Sequence, residues 1–220
     1  MLTDHGYRTW RYRAVRSGTA HVLPDGCRDI LIVRRPREPD RIALTPFDFS
    51  PRHAVLAEGT EVIGYRLRPG TLVGRDVLAV IAADQGAADA ILGETTAGAS
   101  ESSDVIRALA AAWATAQSVA RASGVSVRTL QRHFSHLGLP PPEYWRLLGR
   151  ARRAACLLAP SMPLAAIAGD CGYSDQAHMT REFVRWFGRT PHRLRRDARL
   201  LDILRQPGLG NWTGEQISTR

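Results

Sequence analysis

Over residues 118–200 apolar positions recur at helical spacing, whereas over residues 1–75 they come in short alternations or runs bounded by Gly and Pro. Within Ser126–Ser135, Val127, Leu130 and Phe134 fall at i, i+3 and i+7, with Arg128, Gln131 and Arg132 on another face. That spacing predicts an amphipathic helix, with Ser126 placed to satisfy its first free N–H groups. Ser118–Gly124 ahead of it predicts a short helix started by Ser118 and ended by Gly124, a residue free to take the left-handed conformation. Leu164–Gly172 followed by Ser174–Phe183 repeats this plan. Between the two, Pro142–Leu158 predicts a long helix with Pro142 in its first turn. Its apolar stripe is Tyr144, Leu147, Leu148, Ala151, Ala155 and Leu158, with Arg146, Arg150 and Arg153 off the stripe, and Pro160–Pro163 ends it. Asp104–Trp113 predicts an opening helix and His192–Arg205 a final one; from Pro207 on, the absence of periodicity predicts a mobile tail.

The first third reads as β-structure. Candidate strands are Trp10–Val15, Asp29–Arg34, Arg41–Thr45, His53–Ala57 and Glu61–Arg68, separated by turn signals such as Leu23-Pro24-Asp25-Gly26. Many short strands with Gly and Pro turns predict a small barrel or sandwich. Asp76–Asp89 predicts one helix, and Gly93–Ser103, rich in Thr, Gly and Ser, a linker.

The turn–helix plan is a repeat. Gly124, Phe134, Gly138 and Pro141 recur as Gly172, Phe183, Gly188 and Pro191, at offsets of 48, 49, 50 and 50. Residues 104–196 resemble the AraC/XylS family of bacterial transcription regulators through Gly124–Phe134, Gly138–Tyr144, and Gly172–Phe183 running on to Phe187-Gly188-Arg189-Thr190-Pro191. The resemblance implies an all-α domain of two helix-turn-helix units joined by a long helix. Its base-contacting positions would be Arg128, Gln131 and Arg132 in the first unit, then Gln176, Ala177, Thr180 and Arg181 in the second. Two features depart from the family pattern. The spacing from Phe134 to Gly138 is one residue shorter than usual, and Leu194 stands where an aromatic residue is usual. Leu23–Cys27 and Gly64–Gly70 resemble the cupin-like sensor domain of one AraC-like subgroup.

All 30 basic residues of the 220 are arginine. Ser118–Arg199 holds 14 of them against 5 acids, and the remainder holds 16 of each, so the whole excess of +9 lies on the repeated motif. A charge concentrated in this way suits DNA phosphates. Cys27, Cys156 and Cys171 are odd in number and far apart, which argues against a disulfide framework. Cys156 and Cys171 fall on apolar helical positions and are expected to be buried. Met179 and Phe183 are expected in the core, and His178 to face solvent. No signal-peptide pattern or long apolar run appears, so a cytoplasmic, nucleoid-associated protein with no membrane partner is expected. His21, Cys27, Asp29 and His53 could meet in a barrel as metal ligands, but they lack tight ligand spacing and ordinary structural roles fit better. No nucleophile elbow, Walker loop or dinucleotide fingerprint stands out, so no catalytic residue, metal or cofactor is assigned.

The expectation is therefore an α+β chain. A small β-barrel or cupin-like regulatory domain (1–95) and a linker (96–103) precede an all-α DNA-binding domain (104–200) and a mobile tail (201–220). The function expected is sequence-specific regulation of transcription on double-stranded DNA. A small-molecule effector, a contact with RNA polymerase and a homodimer are the further partners the resemblance suggests. The rival reading is a cupin-type metal-dependent enzyme fused to a DNA-binding domain.

Overall fold

Alternating apolar residues build the first half of the chain, which the computed structural model describes together with the rest over residues 6–96, 101–159 and 161–212. Among the described residues six strands form: β1 (Tyr7–Arg13), β2 (Gly18–Val22), β3 (Arg28–Arg34), β4 (Arg41–Leu44), β5 (Arg52–Leu56) and β6 (Glu61–Leu67). Four of them make an antiparallel sheet in the order β1-β6-β3-β4, and β2 pairs with β5 as a separate ribbon. The expected barrel does not close among the described residues. Helices α1 (Arg75–Ala83) and α2 (Ala88–Thr96) instead cover one face, with Val77, Ile81, Ala88 and Leu92 packed on Ile30, Ile32, Tyr65 and Leu67. A sheet whose apolar face is already buried against helices has no need to curl upon itself.

The single helix expected over Asp76–Asp89 is broken between α1 and α2. Asp84 turns extended there, and its carboxylate accepts the N–H groups of Gly86 and Ala87. The expected linker is also shortened. α2 runs to Thr96, and α3 (Glu101–Ala110) begins with Ser102 and Ser103 buried; residues 97–100 of the linker lie outside the described residues.

The second half is helical: α4 (Ala116–Ala122), α5 (Val127–His136), α6 (Pro142–Cys156), α7 (Leu164–Asp170), α8 (Gln176–Phe187), α9 (Pro191–Leu194) and α10 (Ala198–Arg205). One core joins them around Phe134, Trp145, Leu148, Ile167, Phe183 and Trp186, and Leu23 from the first half enters it. The final helix expected over His192–Arg205 is divided at Asp197, whose carboxylate caps α10 through the Leu200 N–H at 3.0 Å. Leu194, in place of the usual aromatic, is fully buried.

The two halves touch over a built interface. Phe47 packs edge-on against Trp145 at 5.4 Å, and Tyr144 donates its hydroxyl to the Asp48 carbonyl at 3.0 Å. Residues 206–212, expected to be a mobile tail, are held between α6 and the sheet. Leu209 is 2% exposed, and its N–H donates to the Asp25 carbonyl at 2.8 Å. Arg66 donates to the Pro207 carbonyl and Arg8 to that of Trp212. The rest of that tail, 213–220, lies outside the described residues.

Candidate nucleic-acid interface

Local chemistry shapes the first turn–helix pair. Thr115, not Ser118, is the N-cap of α4: its Oγ1 accepts the Ser118 N–H, and the Ser118 hydroxyl accepts the Thr115 N–H in return, both at 3.0 Å. α4 ends with Gly124 at φ +68°, and the Val125 N–H reaches back to the Ala120 carbonyl at 3.0 Å. This left-handed closure returns the chain toward its helix and aims the next one away. Ser126 then caps α5 by accepting the Thr129 N–H at 3.1 Å.

The second pair repeats the device. Gly172 sits at φ +74°, the Tyr173 N–H donates to the Ala168 carbonyl at 2.9 Å, and Asp175 caps α8 by accepting the His178 N–H at 2.6 Å. α7 begins 48 residues after α4, and α8 begins 49 after α5. The shorter spacing after Phe134 is absorbed at the end of α5, where Leu137 caps the helix before Gly138, whereas Gly188 itself caps α8.

On α5, Leu130 and Phe134 are buried and Val127 is half-buried, while Arg128, Gln131 and Arg132 are exposed. None of those three polar side chains has a hydrogen-bond or ion-pair partner among the described residues. On α8, Met179 and Phe183 are fully buried, Gln176, Ala177 and Arg181 are exposed, and Thr180 is half-buried with its hydroxyl on the Gln176 carbonyl at 2.9 Å. Each helix thus separates an inward apolar face from an outward polar one. His178 is half-buried rather than free in solvent: its Nδ1 lies 3.1 Å from the Ser174 hydroxyl, and its ring meets Tyr173 edge-on. Gln117 and Arg121 of α4 line an open groove with Gly124 and Ser126, and neither was marked by periodicity.

Not every arginine in this half is free to meet a polyanion. Arg150, off the apolar stripe in sequence, folds inward over the Tyr173 ring at 4.3 Å and donates to the Gly172 carbonyl at 3.2 Å, joining α6 to the second turn. Arg152 is 2% exposed and is spent on residues 204–211. Arg195 donates to the Met162 carbonyl at 2.6 Å. The charge count therefore overstates what the surface presents.

The four residues weighed as metal ligands do not come together. His21 and His53 face each other across β2 and β5 with ring centroids 4.6 Å apart. Asp29 accepts from Trp10 Nε1 at 2.8 Å and from Arg66 Nε at 3.3 Å, and burial pushes the nearby Cys27 thiol well up. Among the described residues no three His, Cys, Asp or Glu are arranged to hold a metal ion. Cys171 is buried as expected, but Cys156, at the last position of α6, is exposed. No helix among the described residues is long and apolar enough to cross a membrane.

Residues 119–197 match the family described as a helix-turn-helix domain. The HTH-type transcriptional regulator VirS of Mycobacterium tuberculosis is 34% identical over 107 residues, which cover 49% of this chain and 30% of that protein. The chain thus spans about a third of the length of the curated relative it matches. Two solved structures are also similar. A transcriptional regulator described among AraC-type DNA-binding domain-containing proteins, from Chromobacterium violaceum, shares 32% identity, covering 43% of this chain and 80% of that one, with a TM-score of 0.33. The C-terminal domain of AraT, a response regulator from Geobacillus stearothermophilus, shares 27% identity over 42% of this chain and 78% of that one, with a TM-score of 0.36. Over residues 119–197 the chain thus carries a helix-turn-helix domain, and in its helical half it is similar to transcriptional regulators of the AraC/XylS type.

Proposed function

We propose that the protein regulates transcription by binding double-stranded DNA with both turn–helix pairs acting as helix-turn-helix units. The observation that carries this is the repeated geometry. Two capped helices follow two left-handed glycines and hold Arg128, Gln131 and Arg132, and then Gln176, Ala177 and Arg181, outward on buried apolar faces. Arg and Gln can each read a base edge through two hydrogen bonds, Ala177 can meet a thymine methyl, and Thr180 can serve either phosphate or base. α6, of 15 residues, is a stiff rod about 22 Å long at 1.5 Å per residue. Held by it, the two reading helices would enter successive major grooves about 34–36 Å apart, so that one chain covers two adjacent half-sites.

In this reading residues 104–200 are the DNA-binding domain and 1–95 the regulatory region. The regulatory region would respond to a small-molecule effector or join two copies, and the DNA-bound protein would contact RNA polymerase. The built contacts of Phe47, Tyr144 and residues 206–212 between the halves support such control, because a ligand shifts an equilibrium only through differential binding to two arrangements.

The experiment is Arg132→Ala against a site selected from genomic fragments and against random DNA at the same salt. Loss of one bidentate contact, worth about 1–3 kcal/mol, should weaken specific binding about 5- to 150-fold and leave random DNA nearly unaffected. Equal losses on both would make Arg132 a phosphate contact. No preference for any sequence would end the regulator reading.

A further inference from the structure

Buried charge is costly unless it is paired, yet the buried Arg152 and the half-buried Arg153, consecutive on α6, hydrogen-bond only to neutral acceptors. Arg152 donates from Nε to the Leu209 carbonyl at 3.0 Å, and from Nη2 to the carbonyls of Leu204 and Gln206 and to Asn211 Oδ1. Its Nη1 is buried and has no partner. Arg153 donates to the Ala110 carbonyl, and neither guanidinium lies in an ion pair among the described residues. Both side chains line one cavity of about 360 Å³ between the ends of α6 and α7 and residues 209–211. Leu157, Leu209 and Ala112 give it an apolar lining, and the one acid on it, Asp170, is exposed.

We propose that this cavity binds a small organic carboxylate, its anionic end on Arg153 with the charge of Arg152 beside it, and its hydrocarbon part against Leu157 and Leu209. An anion arriving there meets the half-buried guanidinium of Arg153, whose Nε and Nη2 donate to no other group among the described residues and suit a carboxylate as paired donors, with the buried charge of Arg152 beside it. The volume lies in the usual range of small-molecule pockets, about 300–1,000 Å³. The bound acid would touch α6, the end of α7 and residues 209–211, the segment whose Leu209 N–H is bonded to Asp25 of the other half. The binding claim stands apart from DNA recognition, since neither arginine is among the proposed base-reading residues.

Cys156 supplies the readout. It lines the cavity and is exposed, whereas Cys27 and Cys171 are buried. The full chain is treated with N-ethylmaleimide at fixed ionic strength, and alkylation of Cys156 is followed by mass spectrometry. The probes are hexanoate, cyclohexanecarboxylate, inorganic phosphate and, as a neutral control, hexanol. One carboxylate should slow alkylation saturably, about tenfold at ten times its Kd, with hexanol inert. Arg153→Gln should remove the protection. Leu157→Trp, which fills the cavity with both arginines intact, should do the same, so that a misfolded arginine variant cannot decide the matter alone. Protection by phosphate but by neither acid would overturn the carboxylate assignment. Protection that survives Leu157→Trp, or no protection by any probe, would overturn the site.

Discussion

Replacing Arg152 by Met tests whether residues 206–212 are a structural strap. Methionine keeps much of the buried stem and removes every donor. Three acceptors then lose their partner, the carbonyls of Leu204 and Leu209 and Asn211 Oδ1, while the Gln206 carbonyl keeps the Asn211 amide. Asn211 is half-exposed and can turn to water, but Leu204 and Leu209 are 1% and 2% exposed. An abandoned buried acceptor costs about 1–3 kcal/mol, so these two alone weaken the strap by about 2–6 kcal/mol. Against a total stability of about 5–15 kcal/mol this is large, and it should fall first on local opening rather than on the helical core. The assay is native-state hydrogen exchange at the Leu209 N–H, bonded to the Asp25 carbonyl at 2.8 Å. Its exchange should quicken about 30- to 10⁴-fold, while core amides of α6 such as that of Leu148 change far less. Unchanged exchange at Leu209, together with an unmoved urea midpoint, would refute the reasoning and show that these carbonyls do not depend on Arg152.

Three further outcomes are expected. Gly149→Ala would place a Cβ 2.9 Å from both Cα and Cβ of Ala110 on α3; overpacking of about 1–3 kcal/mol should outweigh a helix-propensity gain of about 1 kcal/mol and lower the urea midpoint. A raised midpoint would mean that α3 yields freely. Ser126→Ala removes the cap on the Thr129 N–H and should cost about 0.5–2 kcal/mol in urea unfolding, with DNA affinity falling as α5 frays; an unchanged midpoint would show that water replaces the cap. The His178 N–H holds the Asp175 carboxyl below its usual range, so its stabilisation of α8 is present above about pH 4 and is lost as pH falls through the lowered value. Asp175→Asn keeps an acceptor without a titratable group, so unfolding followed across acid pH should flatten, and an identical pH slope in the variant would contradict this.

What the chain determines by itself is local. Val127, Leu130 and Phe134 fall on one helical face, Ser126 precedes them, and Gly124 supplies the left-handed turn, so α5 and its outward Arg128, Gln131 and Arg132 follow from neighbours within a turn or two. The same holds for α8, and the repeat made the pair legible without coordinates. Tertiary structure decided whatever depends on partners distant in sequence. β2, Gly18–Val22, has no strong alternation and exists because β5 pairs with it. The barrel failed because α1 and α2 claim the apolar face of the sheet. Arg150 lies off the apolar stripe of α6, yet it and Arg152 turn inward because Gly172 and residues 204–211 bring carbonyls to them. Cys156 looks apolar by period, yet it stands where α6 leaves the core. Short-range hydrogen bonds and side-chain spacing are written in adjacent residues; which surface covers which is settled only when segments 50 or 180 positions apart compete for the same burial.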